Sequence, residues 1–123
     1  MKRILVIDDD ANLLSILAEM LTTAGYEVVE ASNGKDGVRL YRQALFDLVV
    51  TDLLMPEKDG LEVVMELRKD FPQVKIITVS GGGAYGNSSL DTSKLLGAVR
   101  TLRKPFTEDQ LLQAVQEVLE SKE

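Results

Sequence analysis

Short apolar runs alternate with apolar stripes of helical period along this chain, and the alternation is regular enough to predict its architecture. Leu48, Val49 and Val50 form an unbroken apolar run, the pattern of a strand covered on both faces. Runs of this kind predict strands near Arg3 to Asp8, Glu27 to Ala31, Leu48 to Asp52, Lys75 to Ser80 and Arg100 to Lys104, each followed by a helical pattern. In the first helix Leu13, Leu17, Met20, Leu21 and Ala24 fall on one stripe, and Gly25 supplies a left-handed stop. Pro56 and Gly60 punctuate a loop, after which Leu61 to Phe71 reads as an amphipathic helix. The last helix opens on a capping box, Thr107 with Gln110, and turns Leu111, Leu112, Val115, Val118 and Leu119 toward the sheet. Five β/α units without internal repeats or linkers require right-handed crossovers and hence an α/β fold with a doubly wound parallel sheet.

Composition narrows what this fold can do. A chain of 123 residues makes one domain, large enough to bury roughly two-thirds of the surface its unfolded form exposes. The apolar runs are too short to cross a bilayer, and Ile4 to Ile7 after Met1-Lys2-Arg3 is too brief for a signal-peptide core, so a cytoplasmic protein without membrane contact is expected. The absence of cysteine excludes disulfides and thiol chemistry, and a formal charge of −6 disfavours direct nucleic-acid binding. The absence of histidine excludes more: histidine acid/base catalysis, histidine metal ligation and any role as a phosphohistidine carrier.

Chemistry is expected at one edge of the sheet. Asp52 ends the third strand at a sharp turn, and ligands of open α/β sheets bind where strands end and helices begin. Taken alone, an aspartate after a strand more often caps a loop or helix. The first strand, however, ends in Asp8, Asp9 and Asp10, which brings further carboxylates to the same edge. Asp10 is expected to cap the first helix, whereas Asp8 and Asp9 with Asp52 make an oxygen-only set suited to a hard ion such as Mg²⁺. The fourth strand ends at Ser80 and the fifth at Lys104. A lone serine there is commonly a turn residue and a lone lysine a solvated strand end. Together with Asp52 as nucleophile they make a phosphoryl site, in which an ammonium, a hydroxyl and a metal ion each take one phosphoryl oxygen.

These residues resemble the receiver domain of two-component response regulators from Lys2 to Leu119, so that residues 1–123 are expected to form one such domain. The acidic pair is similar to Asp8 and Asp9, and the phosphoacceptor loop D-x-x-M-P-x-x-D-G is matched by Asp52, Met55, Pro56, Asp59 and Gly60. Ser80 stands at the Ser/Thr position, and Lys104, Pro105 and Phe106 match the Lys-Pro-aromatic element. The resemblance implies a five-stranded sheet in flavodoxin-like order 2-1-3-4-5 with five helices in a three-layer α/β/α sandwich. It also implies Mg²⁺ held by Asp9, Asp52 and the Leu54 backbone carbonyl, with Asp8 acting through water. A sensor histidine kinase or histidine phosphotransfer protein would then phosphorylate Asp52, the face made by helix four, strand five and helix five would change, and the phosphate would hydrolyse spontaneously. The chain would be a signalling switch catalysing its own phosphotransfer and dephosphorylation, not an enzyme acting on other substrates.

Two departures qualify the resemblance. Three residues before the lysine, where many receivers carry a switch aromatic, stands Thr101; Tyr85 is the available substitute, though an exposed loop tyrosine is its simpler reading. The segment SGGGAYGNSS is glycine-rich, and Gly81, Gly83 and Gly86 satisfy G-x-G-x-x-G, but after the fourth strand instead of the first. Asn87 occupies the lysine position of a phosphate-binding P-loop, so the glycines are assigned to mobility and close access. Arg100 and Arg103 are expected to protect a sheet edge. Asp8-x-Asp10 superficially resembles the haloacid-dehalogenase-type phosphatases, which use an aspartyl nucleophile, but the threonine or valine expected after that pair is missing and no cap domain fits. A protein-binding module that is never phosphorylated is the other alternative, and the full acidic, hydroxyl and lysine set argues against it. With the chain ending at its last helix, output is expected through a protein effector or a region beyond this sequence, in the manner of a chemotaxis-type regulator or relay intermediate. A monomer, or a weak dimer through the fourth-helix face, is expected.

Overall fold

The computed structural model describes residues 1–53, 55, 57–80, 97 and 99–121. Five strands, β1 (Arg3–Ile7), β2 (Glu27–Ala31), β3 (Leu48–Asp52), β4 (Ile76–Ser80) and β5 (Arg100–Arg103), form one parallel sheet in the order β2-β1-β3-β4-β5. Four helices are described: α1 (Ala11–Thr23), α2 (Gly34–Gln43), α3 (Gly60–Asp70) and α4 (Glu108–Glu120). The helix expected between the fourth and fifth strands, with Tyr85 and the glycine-rich segment, lies outside the described residues.

Side chains alternate across the sheet and divide the core in two. Ile4 and Val6 of β1, with Leu48, Val50, Ile77 and Val79, meet the buried faces of α1 and α4. Leu5 and Ile7, with Val49 and Ile76, meet Val38 and Tyr41 of α2 and Val63, Val64 and Leu67 of α3. β3 and β4 are buried along their whole length, which is why their sequences read as apolar runs. Each fully buried Leu, Ile or Val contributes about 1.5–3 kcal/mol.

Several local readings shift by a residue or a face. β1, β4 and β5 exclude Asp8, Lys75 and Lys104, and Gly60 opens α3 instead of ending the loop before it. The buried stripe of α1 is Leu14, Leu17, Ala18 and Leu21, with Leu13 and Met20 only partly covered and Ala24 exposed beyond the helix end. Ala114 joins the buried face of α4, whose Leu112 and Leu119 pack at its margin. The side chain of Asp10 accepts from the Asn12 and Leu13 N–H groups, as expected of a cap, and Gly25 adopts a φ of 103°. The Thr107–Gln110 capping box is present on both sides. No basic residue lies in the last turn of α4; Lys75 supplies the charge instead, donating at 2.7 Å to the Ser121 carbonyl. Arg100 and Arg103 do lie on an edge strand, and Arg100 pairs with Glu117 of α4.

Gly60 sets how closely α3 approaches the end of β3. Its N–H donates to the Leu53 carbonyl at 3.0 Å, and a Cβ built on it would collide with the Asp52 carbonyl and come within 2.6 Å of the Leu53 Cα. These obstacles are backbone and cannot rotate away. Gly60→Ala is therefore expected to destabilise the protein by about 1–3 kcal/mol, measured as a lowered urea midpoint with an unchanged slope.

Candidate functional site

The register of the sheet brings the acidic strand ends together. β1 and β3 are neighbours with Ile7 opposite Thr51, so Asp8 and Asp52 each emerge at the same edge. Asp8 is fixed by two bonds: its N–H donates to the Ala31 carbonyl at 3.1 Å and its Oδ1 accepts from the Asp10 N–H at 2.9 Å. Asp52 Oδ1 accepts from the Leu53 N–H at 3.0 Å, and the Asp52 carbonyl accepts from the Thr51 hydroxyl. Asp9, between the buried Asp8 and the helix cap, is exposed. One carboxylate oxygen from each of Asp8, Asp9 and Asp52 lies within 4.8 Å of the others.

Among the described residues, one ammonium reaches this cluster. Lys104 follows β5, two strands from β3, and its side chain crosses to place Nζ 3.4 Å from Asp52 Oδ1 and 3.7 Å from Asp8 Oδ2. Its backbone N–H is held by the Ser80 carbonyl at 2.7 Å, and its peptide bond to Pro105 is cis. Ser80 is fully buried at the end of β4, one residue beyond Val79, the register partner of Asp52. Leu54 and Pro56 lie outside the described residues, while Met55 is buried in the α2/α3 core. Thr101 is half-buried on β5.

The charge at this site is not balanced. Asp52 is 6% and Asp8 1% exposed, and burial raises the pKa of both carboxyls above the ordinary aspartate value. Lys104 opposes the rise at each, while the Asp8 carboxylate reinforces it at Asp52, and Asp9 and Asp10 reinforce it at Asp8. Asp8 Oδ2 is buried and, among the described residues, has no hydrogen-bond partner. A buried carboxylate oxygen that accepts no hydrogen bond, on a residue that belongs to a three-carboxylate cluster, fits a small divalent cation.

Two features were not read from the sequence. Asp59 is the N-cap of α3, accepting from the Glu62 N–H at 2.9 Å. Lys58, in the same loop, pairs with Glu66, which also accepts from Arg42 at 3.0 Å. The spacing of Glu66 and Asp70 on one face of α3 was the available signal, but their partners come from other elements.

An open parallel sheet that gathers carboxylates and a lysine at its C-terminal edge defines a class of α/β proteins that handle a cation together with an anionic group. A family model for the response regulator receiver domain matches residues 4–116, and the chain belongs to that family. The family comprises signalling switches of two-component response regulators and not enzymes in the ordinary sense. The chain is 35% identical over 119 residues to the chemotaxis protein CheY of Thermotoga maritima, covering 95% of this chain and 97% of that protein. It is 36% identical over 117 residues to the transcriptional regulatory protein GlrR of Escherichia coli; the match covers 95% of this chain but only 26% of GlrR. Among solved structures, the response regulator TrrA of Thermotoga maritima, determined in complex with Mg²⁺-BeF, superposes with a TM-score of 0.86 at 36% identity, covering 96% of this chain and 99% of that one. Among the described residues no helix is long and apolar enough to cross a membrane.

The raised pKa of Asp8 has a sign that can be tested without any metal. A carboxyl whose folded-state pKa lies above its unfolded value favours folding below the unfolded pKa, and that advantage is lost as pH rises through the folded value. Asp8→Asn removes the titration and retains an acceptor for the Asp10 N–H. In metal-free buffer the variant is expected to unfold at higher urea than the parent at pH 7, with the difference shrinking toward zero below the aspartate range.

Proposed function

We propose that residues 1–123 act as a single cytoplasmic receiver domain that is phosphorylated on Asp52 and reports that state to a protein partner. The observation that carries the proposal is the convergence of Asp8, Asp9, Asp52 and Lys104 on one point at the strand ends. In this reading Asp9, Asp52 and the Leu54 carbonyl would hold Mg²⁺, with Asp8 acting through water. Bound there, Mg²⁺ would neutralise charge on the transferring group. The unpartnered Asp8 Oδ2 supports a cation at this position.

The chain's own residues account for the transfer. A carboxylate oxygen of Asp52 attacks phosphorus in line; the phosphorus–nitrogen bond to the donor's phosphohistidine breaks, and its electron pair returns to the imidazole. Lys104, already at hydrogen-bonding range of Asp52, pairs with a phosphoryl oxygen as charge shifts onto it. A phosphohistidine donor would lie outside these 123 residues, which hold no histidine; a sensor histidine kinase or a histidine phosphotransfer protein fits that role. Water then attacks phosphorus, releasing phosphate and restoring the Asp52 carboxylate.

The Ser80 hydroxyl takes another phosphoryl oxygen, and this movement biases the following helix and β5, a two-state element that a partner reads. A groove of about 370 Å³ beside Thr101, Leu102, Phe106 and Gln110 lies on that face. The protein is a monomer or a weak dimer, without direct contact to nucleic acid or membrane.

Incubation with acetyl phosphate and Mg²⁺ is expected to add one phosphate to the parent chain and none to Asp52→Asn, as read by intact mass. Lys104→Met is expected to slow adduct formation by roughly 10²-fold, the scale of one lost electrostatic contact in a transition state. An adduct that survives Asp52→Asn would remove Asp52 from the role of acceptor.

A further inference from the structure

The loop leaving Asp52 is tied to both helices on its side of the sheet. Its far end rests on its beginning, because Gly60 lies against the Asp52 carbonyl. The Lys58 carbonyl sits so close to Gly34, the first residue of α2, that no Cβ fits there. From the same residue the Lys58 ammonium pairs with Glu66 of α3, and the chain of charges runs on through Arg42 of α2 to Asp70 of α3. Arg42 also lies 5.7 Å over the Phe71 ring. Inside this frame Glu57 has a φ of 66°, a left-handed conformation that side chains disfavour. A loop containing such a residue relaxes unless its surroundings hold it.

We propose that Lys58 and Glu66 are positioning residues for the Asp52 site, holding the β3–α3 loop in place through the ion-pair chain to Arg42 and Asp70. Lys58 and Glu66 are 26% and 34% exposed, so the pair adds little to global stability. Its effect is geometric. Relaxation at Glu57 shifts Asp59 and Gly60, and Gly60 cannot move toward β3 without displacing Asp52. The three-carboxylate cluster therefore keeps its spacing only while the loop is braced. Hydrogen bonds from Lys58 first and Arg42 second hold the Glu66 carboxyl below its ordinary pKa against the opposing effect of burial, so the brace stays charged at neutral pH.

The inference rests on the reading of Asp52 as a Mg²⁺-dependent site, and the sign of two substitutions separates bracing from simple charge effects. Removing the Lys58 charge acts through space to tighten Mg²⁺ binding, whereas removing the Glu66 charge acts to weaken it. Loss of a brace weakens binding in both cases. Calorimetric titration of the full chain with Mg²⁺ alone is expected to give a Kd raised roughly threefold by Lys58→Met and by Glu66→Gln, the scale of one partly exposed ion pair. The double variant is expected to bind no more weakly than the worse single variant, and Lys58→Arg, which preserves the pair, to match the parent. Urea midpoints identify any variant that does not fold, and Glu66→Gln with Lys58→Arg decides the matter if Lys58→Met is lost. Unchanged or tighter binding in Lys58→Met, unchanged binding in Glu66→Gln, or losses that simply add in the double variant overturn the inference alone. A parent chain that does not bind Mg²⁺ overturns the site reading and the inference together.

Discussion

Two carboxylates withdrawn from water, with one ammonium between them, form the constraint on which the rest of this structure depends. A parallel sheet covered on both faces tolerates charge only at its strand ends, and adjacency of β1 and β3 puts Asp8 and Asp52 at neighbouring ends. Lys104 starts two strands away, about 10 Å at the usual strand spacing. Only a long side chain spans that distance. Its position depends in turn on β4, whose last residue holds the Lys104 backbone. The sheet order, the ends of four strands and one lysine are thus parts of a single electrostatic arrangement.

That arrangement is left unsatisfied in the direction of function. Raised carboxyl pKa values and an Asp8 oxygen that accepts no hydrogen bond among the described residues mean that folding places negative charge where water no longer stabilises it fully. The apolar core supplies the stability that makes this tolerable, since the strands carrying Asp8 and Asp52 are buried along nearly their whole length. In the proposed function a cation and a phosphoryl group would bind at this edge. Their arrival or loss changes the local charge by whole units, enough to bias any neighbouring element with two arrangements close in energy.

The two layers of helices are built differently. Among the described residues, α1 and α4 meet the sheet through a continuous apolar stripe, from Leu14 and Leu17 to Val115 and Val118. α2 and α3 add to their apolar core a chain of charges at its outer margin and a backbone-to-backbone approach at Gly34 and Gly60. Close backbone packing has little play. The side of the molecule next to the Asp52 loop is therefore the one where small displacements are transmitted instead of absorbed.

The alternation of strands and helices, the caps at Asp10 and Thr107 and the strand-end residues Asp8, Asp9, Asp52, Ser80 and Lys104 were legible because each is a local signal. Residues of a parallel sheet that end their strands share one edge whatever the details of packing, so their meeting there could be expected before any distance was known. The rotation of α1 was not legible: Leu13 and Leu14 both fit an amphipathic stripe, and contact with the sheet selects Leu14 and Ala18 over Leu13 and Ala24. Nor was the linkage of Arg42, Lys58, Glu66 and Asp70, whose members lie on three separate elements. By itself the sequence determined the fold class and which residue types meet at the sheet edge, since both follow from short-range periodicity and topology. Only the tertiary structure decided how far Lys104 stands from each carboxylate, which oxygen accepts no hydrogen bond among the described residues and which charges pair beside the Asp52 loop, because those depend on the packing of elements distant in the chain.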